Sequence, residues 1–134
     1  MRDTATIIRA FYADLWEKGD VALLPALMHE DVAFQGTFGQ VMRGLGAFEA
    51  YVRSVREAFS TYGCEVRDLV VDGDKAAARV GFSGRHDAGP FLGHPPSGRM
   101  LAWEGVGFFT LADGRISHLW VMGDMLGLTG QLKA

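Results

Sequence analysis

Phe108-Phe109-Thr110-Leu111-Ala112-Asp113-Gly114-Arg115-Ile116-Ser117-His118-Leu119-Trp120 is the stretch whose reading decides the fold of this chain. Two aromatic-rich and β-branched runs flank Asp113-Gly114, the dipeptide of a two-residue hairpin turn. In such a turn Ala112 faces Arg115, and paired positions carry numbers that sum to 227. Phe109 then faces His118, Gly107 faces Trp120 and Trp103 faces Asp124. Because side chains alternate along a strand, Trp103, Phe109, Ile116, His118, Trp120, Met122 and Asp124 are expected on one sheet face. Gly105 and Gly107 leave room on that face for a flat ligand. A carboxylate that ends a strand among Trp, Met and Leu can serve as a general base, which singles out Asp124. His118 lies on the same predicted face about 20 Å from Asp124 along the strand, too far for a dyad, so it reads as a core or rim histidine.

Upstream, residues 99–111 form the long partner strand. Before it lies a loop over residues 87–98 that holds Pro90, Pro95 and Pro96. Residues 64–71 and 75–85 make an earlier hairpin through Asp72-Gly73-Asp74. The first half reads as helices. Ile7, Ile8, Phe11, Tyr12, Leu15 and Trp16 recur at helical spacing, with Asp3 or Thr4 as cap and Gly19 as stop. Leu23, Leu24, Leu27 and Met28 mark a shorter segment interrupted at Pro25. Leu45, Phe48, Val52, Val55 and Phe59 mark a third helix whose outer face carries Glu49, Arg53, Arg56 and Glu57. Residues 32–34 read as a short strand and 35–43 as a loop. Three helices followed by an antiparallel sheet give an α+β domain over residues 1–134, with the helices on one sheet face.

Composition narrows the function classes. The 134 residues carry 13 basic and 16 acidic side chains, a net charge of −3 with no basic stripe, so nucleic acid is not an expected partner. No apolar run reaches the length of a membrane span, and the N-terminus lacks a signal-peptide pattern. With Cys64 alone, no internal disulfide forms, and the expected location is the cytoplasm. Cys64 has no neighbouring cation to activate it, and no nucleophile motif of the Ser-His-Asp type is present. His29-Glu30-Asp31 lacks a second histidine at ligand spacing, so no metal site is expected.

Several segments together resemble the SnoaL-like polyketide cyclases, a branch of the nuclear-transport-factor-like (cystatin-like) α+β cones. These are Gly84-Arg85-His86, Gly89-Pro90-Phe91-Leu92-Gly93-His94-Pro95-Pro96-Ser97-Gly98-Arg99, Asp113-Gly114-Arg115-Ile116, His118-Leu119-Trp120 and Gly123-Asp124-Met125-Leu126-Gly127-Leu128. The resemblance implies a cone-shaped barrel of curved antiparallel sheet packed by three N-terminal helices around a hydrophobic pocket. It implies intramolecular aldol ring closure on aromatic polyketides, without metal or organic cofactor. It places the general acid/base at Asp124 and implies a homodimer or homotetramer assembled through the sheet.

The expected chemistry starts with Asp124 removing a proton from a carbon between two carbonyls. The enolate attacks a second carbonyl of the same molecule, and Asp124 returns the proton to the new alkoxide. His86, at a strand end beside the loop, is the expected second donor that polarises the carbonyl. Trp103, Trp120, Tyr12, Phe34 and Met122 are the expected contacts for an apolar or aromatic small molecule. Two alternatives stay open: another cofactor-free reaction such as isomerisation, dehydration or hydrolysis at the same aspartate, and a binding protein without catalysis. In the second, Asp124 would simply cap a helical turn over residues 125–128.

Overall fold

Asp3 starts the first helix as its sequence suggests. In the computed structural model, which describes residues 3–37, 39 and 41–134, its carboxylate accepts the Thr6 N–H at 2.7 Å at the head of α1 (Thr4–Ala10). That bond holds the Asp3 carboxyl below its ordinary pKa. Helix α1 runs on into a π-helix (Phe11–Glu17). Its i→i+5 bonding lets Phe11, Tyr12, Leu15 and Trp16 all enter the core. The wide turn closes at Gly19, whose φ of +75° is in the left-handed region, and the Asp20 N–H donates to the Asp14 carbonyl at 3.1 Å. Pro25 falls in the first turn of α2 (Leu24–Leu27), behind a short 3-10 turn (Val21–Leu23), where its missing N–H removes no helical bond.

Six strands follow in one curved, unclosed sheet: β1 (Met28–Gln35), β2 (Val41–Arg43), β3 (Tyr62–Asp72), β4 (Lys75–Arg85), β5 (Met100–Ala112) and β6 (Arg115–Gly123). Their order is β2-β1-β6-β5-β4-β3. The pairings are antiparallel except that β1 runs parallel to β6. Residues 29–31, read from sequence as a helix end, lie on β1, and part of the loop expected over residues 35–43 is β2 (positions 38 and 40 lie outside the described residues). Helix α3 (Leu45–Arg56) buries Phe48, Val52 and Val55, and Phe48 meets Phe11 and Phe34 at ring separations of 5.8 and 5.1 Å. The α+β cone is therefore present, with open edges at β2 and β3.

Arg56 does not stand on a solvated helix face. Its Nη1 donates to the carbonyls of Trp16 and Glu17 at 2.6 and 2.7 Å, satisfying the end of the π-helix. The Glu17 carboxylate in turn accepts the Cys64 N–H at 3.0 Å, tying the π-helix to the start of β3.

The register of the decisive hairpin holds for two pairs and then slips. Ala112 faces Arg115 and Leu111 faces Ile116, but Thr110 faces His118, and from there paired numbers sum to 228. Ser117 is the extra residue of a β-bulge, and its Oγ donates to the Thr110 carbonyl at 3.1 Å. A one-residue slip exchanges the faces. Phe109 pairs with Leu119 and Gly107 with Val121, whereas Phe108 pairs with Trp120 on the opposite side. Trp120, Met122 and His118 are thus outside the cone, not beside Trp103 and Phe109, which corrects the expected face.

The chain also has a fourth helix, α4 (Met125–Lys133), longer than the turn that the sequence suggests. Leu128 anchors it in the core, and the Gln131 side-chain amide pairs with the β5 backbone. It accepts from the Ala102 N–H at 2.9 Å and donates to the Ala102 carbonyl at 2.7 Å, extending the hydrogen bonding of β5 beyond the end of β6. No helix among the described residues is long and apolar enough to cross a membrane.

Candidate functional site

The inner cavity takes its walls from every layer of the fold. The π-helix contributes Tyr12 and Trp16, α3 contributes Tyr51, and the inward rows of the sheet contribute Phe34, Tyr62 and Trp103. Gly105 lines the cavity, as expected, and Gly107 lies under the Tyr12 hydroxyl, which sits 2.8 Å from where a Cβ on that glycine would be. The room inside, measured at water centres, is about 60 Å³. That is well below the ~300–1,000 Å³ typical of pockets for drug-sized ligands. One carbonyl-bearing ring or a short chain matches it better than a fused polycycle.

Of the residues expected to contact a small molecule, Tyr12, Phe34 and Trp103 line this cavity. Trp103 stacks on Phe82 with centroids 5.6 Å apart and planes 23° from parallel. Trp120 and Met122 do not line it: they are 37% and 58% exposed on the outer face, carried there by the Ser117 bulge.

Asp124 is exposed and does not line the cavity, although Gly123 before it does. Its Oδ1 accepts the Gly127 N–H at 2.9 Å, the N-cap of α4. Its own N–H donates to the Glu104 carbonyl at 2.9 Å. The carboxylate borders a polar groove whose other walls include Glu104, Arg67, Phe82 and Trp103. Phe82 and Trp103 line both spaces, so the groove and the cavity share a wall beside Asp124.

His86 is fully buried, just past the end of β4, but it is not among the residues that line the cavity. Its Nε2 lies 2.9 Å from the Gly89 carbonyl, an obligate acceptor, so Nε2 carries the proton and donates. Nδ1 has no hydrogen-bond partner among the described residues. The ring packs against Phe59 and Phe91, and both of these touch Trp103 in front of it. As placed, His86 is not a donor into the cavity. The backbone bonds from the His86 N–H to Arg99 O and from the Gly98 N–H to His86 O, both 2.8 Å, make it the peg that holds the 87–98 loop.

Sequence reasoning missed Tyr51 and Tyr62. Tyr51 follows Phe48 by three on α3, and Tyr62 shares the inward parity of Cys64 on β3, so helical and strand periods together could have found them. Burial pushes the Tyr51 phenol up to about 12 and also raises Tyr12 and Tyr62 well above the ordinary phenol value, so all three stay protonated at neutral pH. Burial, with the Glu17 carboxylate adding to it, lifts the Cys64 thiol to about 12, which leaves no thiolate for nucleophilic chemistry.

A second depression lies outside the cone. One row crosses all six strands as Val70, Ala77, Phe108, Trp120, Gln35 and Val41. It borders an open groove of about 560 Å³. Val70 and Phe108 are 67% and 54% exposed there.

The sequence model of the SnoaL-like polyketide cyclase family matches residues 6–132. Among solved structures, TsrD from Streptomyces laurentii is 33% identical with a TM-score of 0.85, the match covering 98% of each chain. A proposed SnoaL-like polyketide cyclase from Jannaschia sp. CCS1 is 26% identical with a TM-score of 0.88, covering 97% of this chain and 91% of that one. IdmH, a proposed polyketide cyclase from Streptomyces antibioticus, shares the fold at 23% identity and a TM-score of 0.84, covering 97% of this chain and 98% of its own. No curated protein sequence matches the chain.

Proposed function

The chain belongs to the SnoaL-like polyketide cyclase family, and from that premise we propose that it closes a ring by a cofactor-free intramolecular aldol reaction with Asp124 as general acid/base. The substrate is a polyketide-derived carbonyl compound that places one ring or a short chain in the inner cavity. The observation that carries the reading is adjacency: Gly123 lines the cavity, and Asp124 follows it against the wall formed by Trp103 and Phe82. From there a side-chain rotation takes the carboxylate from the Gly127 N–H toward a C–H flanked by two carbonyls. The C–H electron pair becomes the enolate, the enolate carbon bonds to a second carbonyl carbon, and Asp124 returns the proton to the alkoxide oxygen. Holding both carbons in one narrow space supplies much of the acceleration.

A second reading is favoured by the cap itself. A carboxylate already bonded to Gly127 and open to solvent has a sufficient structural role, and the protein is then a binder of apolar carbonyl compounds. Asn caps helices about as well as Asp but cannot take a proton, so Asp124→Asn separates the two. The assay is solvent deuterium exchange at the C–H of 1-phenylbutane-1,3-dione, followed by NMR with the fold checked by near-ultraviolet circular dichroism. The cyclase reading expects parent-catalysed exchange that falls roughly 100-fold or more in the folded Asn variant. Equal exchange in parent and variant would leave the binding reading.

We also propose that the protein is a homodimer or homotetramer whose copies meet through the outer apolar row of Val70, Phe108 and Trp120. Exposed, apolar and carried across the sheet, that row suits a second copy of itself.

A further inference from the structure

The inner cavity is walled by aromatic rings, yet three of those rings end in hydroxyls. Trp16 is flanked by Tyr51 and Tyr62 at centroid distances of 5.7 and 6.0 Å, and Tyr12 precedes Trp16 by four residues on the same π-helix. All three phenols therefore ring one stretch of the cavity wall. The Tyr12 and Tyr51 hydroxyls make no hydrogen bond to any described residue, and the Tyr62 hydroxyl has the Cys64 thiol as a weak partner. Hydroxyls that line a cavity without a protein partner keep their hydrogen bond for whatever enters it, and three around one cavity make a donor set for an acceptor.

We propose that this end of the cavity is a carbonyl subsite, in which the hydroxyls of Tyr12, Tyr51 and Tyr62 donate to the oxygen of a ketone or 1,3-diketone seated among the rings. The proposal deepens the cyclase reading and rests on it for the class of ligand. A carbonyl oxygen suits the site because it only accepts, and these phenols stay protonated at neutral pH and can therefore donate. The same donors are placed to stabilise an enolate as negative charge gathers on that oxygen. The narrowness of the cavity adds selectivity, since about 60 Å³ at water centres admits the carbonyl-bearing end of a molecule and keeps a fused ring system at the mouth. The π-helix has a direct part here, because it brings Tyr12 and Trp16 inward together.

The test is binding, read without turnover. 1-Phenylbutane-1,3-dione and butylbenzene, a hydrocarbon of similar shape, are titrated calorimetrically into the full chain and its Tyr12→Phe, Tyr51→Phe and Tyr62→Phe variants. Each substitution removes one oxygen and keeps the ring. The expected result is diketone affinity roughly 3- to 10-fold weaker in at least two variants, with butylbenzene affinity changed by less than about twofold. In those variants the carbonyl stretch of the bound diketone should also shift back toward its position in hydrocarbon solvent. Three results overturn the proposal: selective loss in fewer than two variants, equal loss for both ligands, or a parent that binds the diketone no more tightly than the hydrocarbon. Phenol-dependent binding by a protein that shows no deuterium exchange would sink the cyclase reading and leave the subsite standing. Exchange by the parent, together with selective binding loss in fewer than two variants, would do the reverse.

Discussion

Burial keeps the Tyr51 phenol and the Cys64 thiol protonated to about pH 12. In the unfolded chain the same groups ionise near pH 10 and about 8.5. Between those limits the folded state binds more protons than the unfolded one, so stability is fully present below the unfolded values and falls as pH rises. Urea unfolding midpoints should be flat from about pH 6 to 8, decline above about 9, and drop most steeply between about 10 and 12. Tyr51→Phe should lessen that last slope by up to ~1.4 kcal/mol per pH unit. An alkaline limb identical in parent and variant would mean that Tyr51 ionises freely in the folded protein. At this scale the sequence was a partial guide. Asp124 was legible both as a strand-end carboxylate and as a cap, because each reading needs only its neighbours in the chain. The side of the sheet that it faces depends on a bulge several residues earlier, and no local pattern announces that. His86 shows the same limit: its strand-end position could be read, but the Phe91 ring between it and Trp103 comes from a loop whose path periodicity does not describe.

Two elements depart from what their residue spacing implies, for different reasons. The first apolar face reads as one helix, and it is one, but its second half is π. An α-helix and a π-helix of seven residues share most of their apolar pattern, so sequence alone does not separate them. What fixes the wider turn is tertiary: the Arg56 guanidinium on its last carbonyls and Glu17 on the β3 backbone, contacts that span roughly forty residues of chain. In the β5–β6 hairpin the turn chemistry was right and the register beyond Ser117 was not. Glycines record how tightly these elements meet. A Cβ at Gly84 of β4 would stand 2.7 Å from both the Thr61 carbonyl oxygen and a Phe59 ring carbon. Backbone cannot yield cheaply, so Gly84→Ala should destabilise the fold by ~1–3 kcal/mol. Gly130 of α4 has nothing within 4 Å of the same position, and Gly130→Ala should stabilise by ~0.4–1 kcal/mol through the unfolded chain. Chemical denaturation of both variants checks the pair, and equal effects would contradict the close approach at Gly84.

Across the whole molecule, the α+β layering was legible because the first half carries helical periodicity and the second half strands punctuated by Asp-Gly turns. The parallel pairing of β1 with β6 was not, since it joins segments more than eighty residues apart and leaves no local mark. That pairing completes the row of outward side chains from Val70 to Val41, and the Ser117 bulge is what turns Trp120 into it and puts Met122 on the same outer face. The displacement that removes two expected residues from the cavity thus gives the sheet an apolar outer face. Phe108 and Trp120 meet there with ring centroids 5.7 Å apart, while each remains more than a third exposed. Paired charges border the row, with Arg79 on Asp68 at 2.7 Å and on Glu104 at 3.2 Å. If two copies meet on this face, introducing like charges at its centre should separate them with little effect on the protomer, because neither ring belongs to the core. Phe108→Glu combined with Trp120→Glu should convert a sedimenting dimer or tetramer into a monomer with an unchanged near-ultraviolet spectrum of the inner aromatic residues. A parent that sediments as a monomer at about 100 μM would rule out assembly through this row. An oligomer that survives both charges would place the interface elsewhere. The inner cavity stands on the other side of the same sheet, so the monomeric variant should still bind 1-phenylbutane-1,3-dione with the parent's affinity.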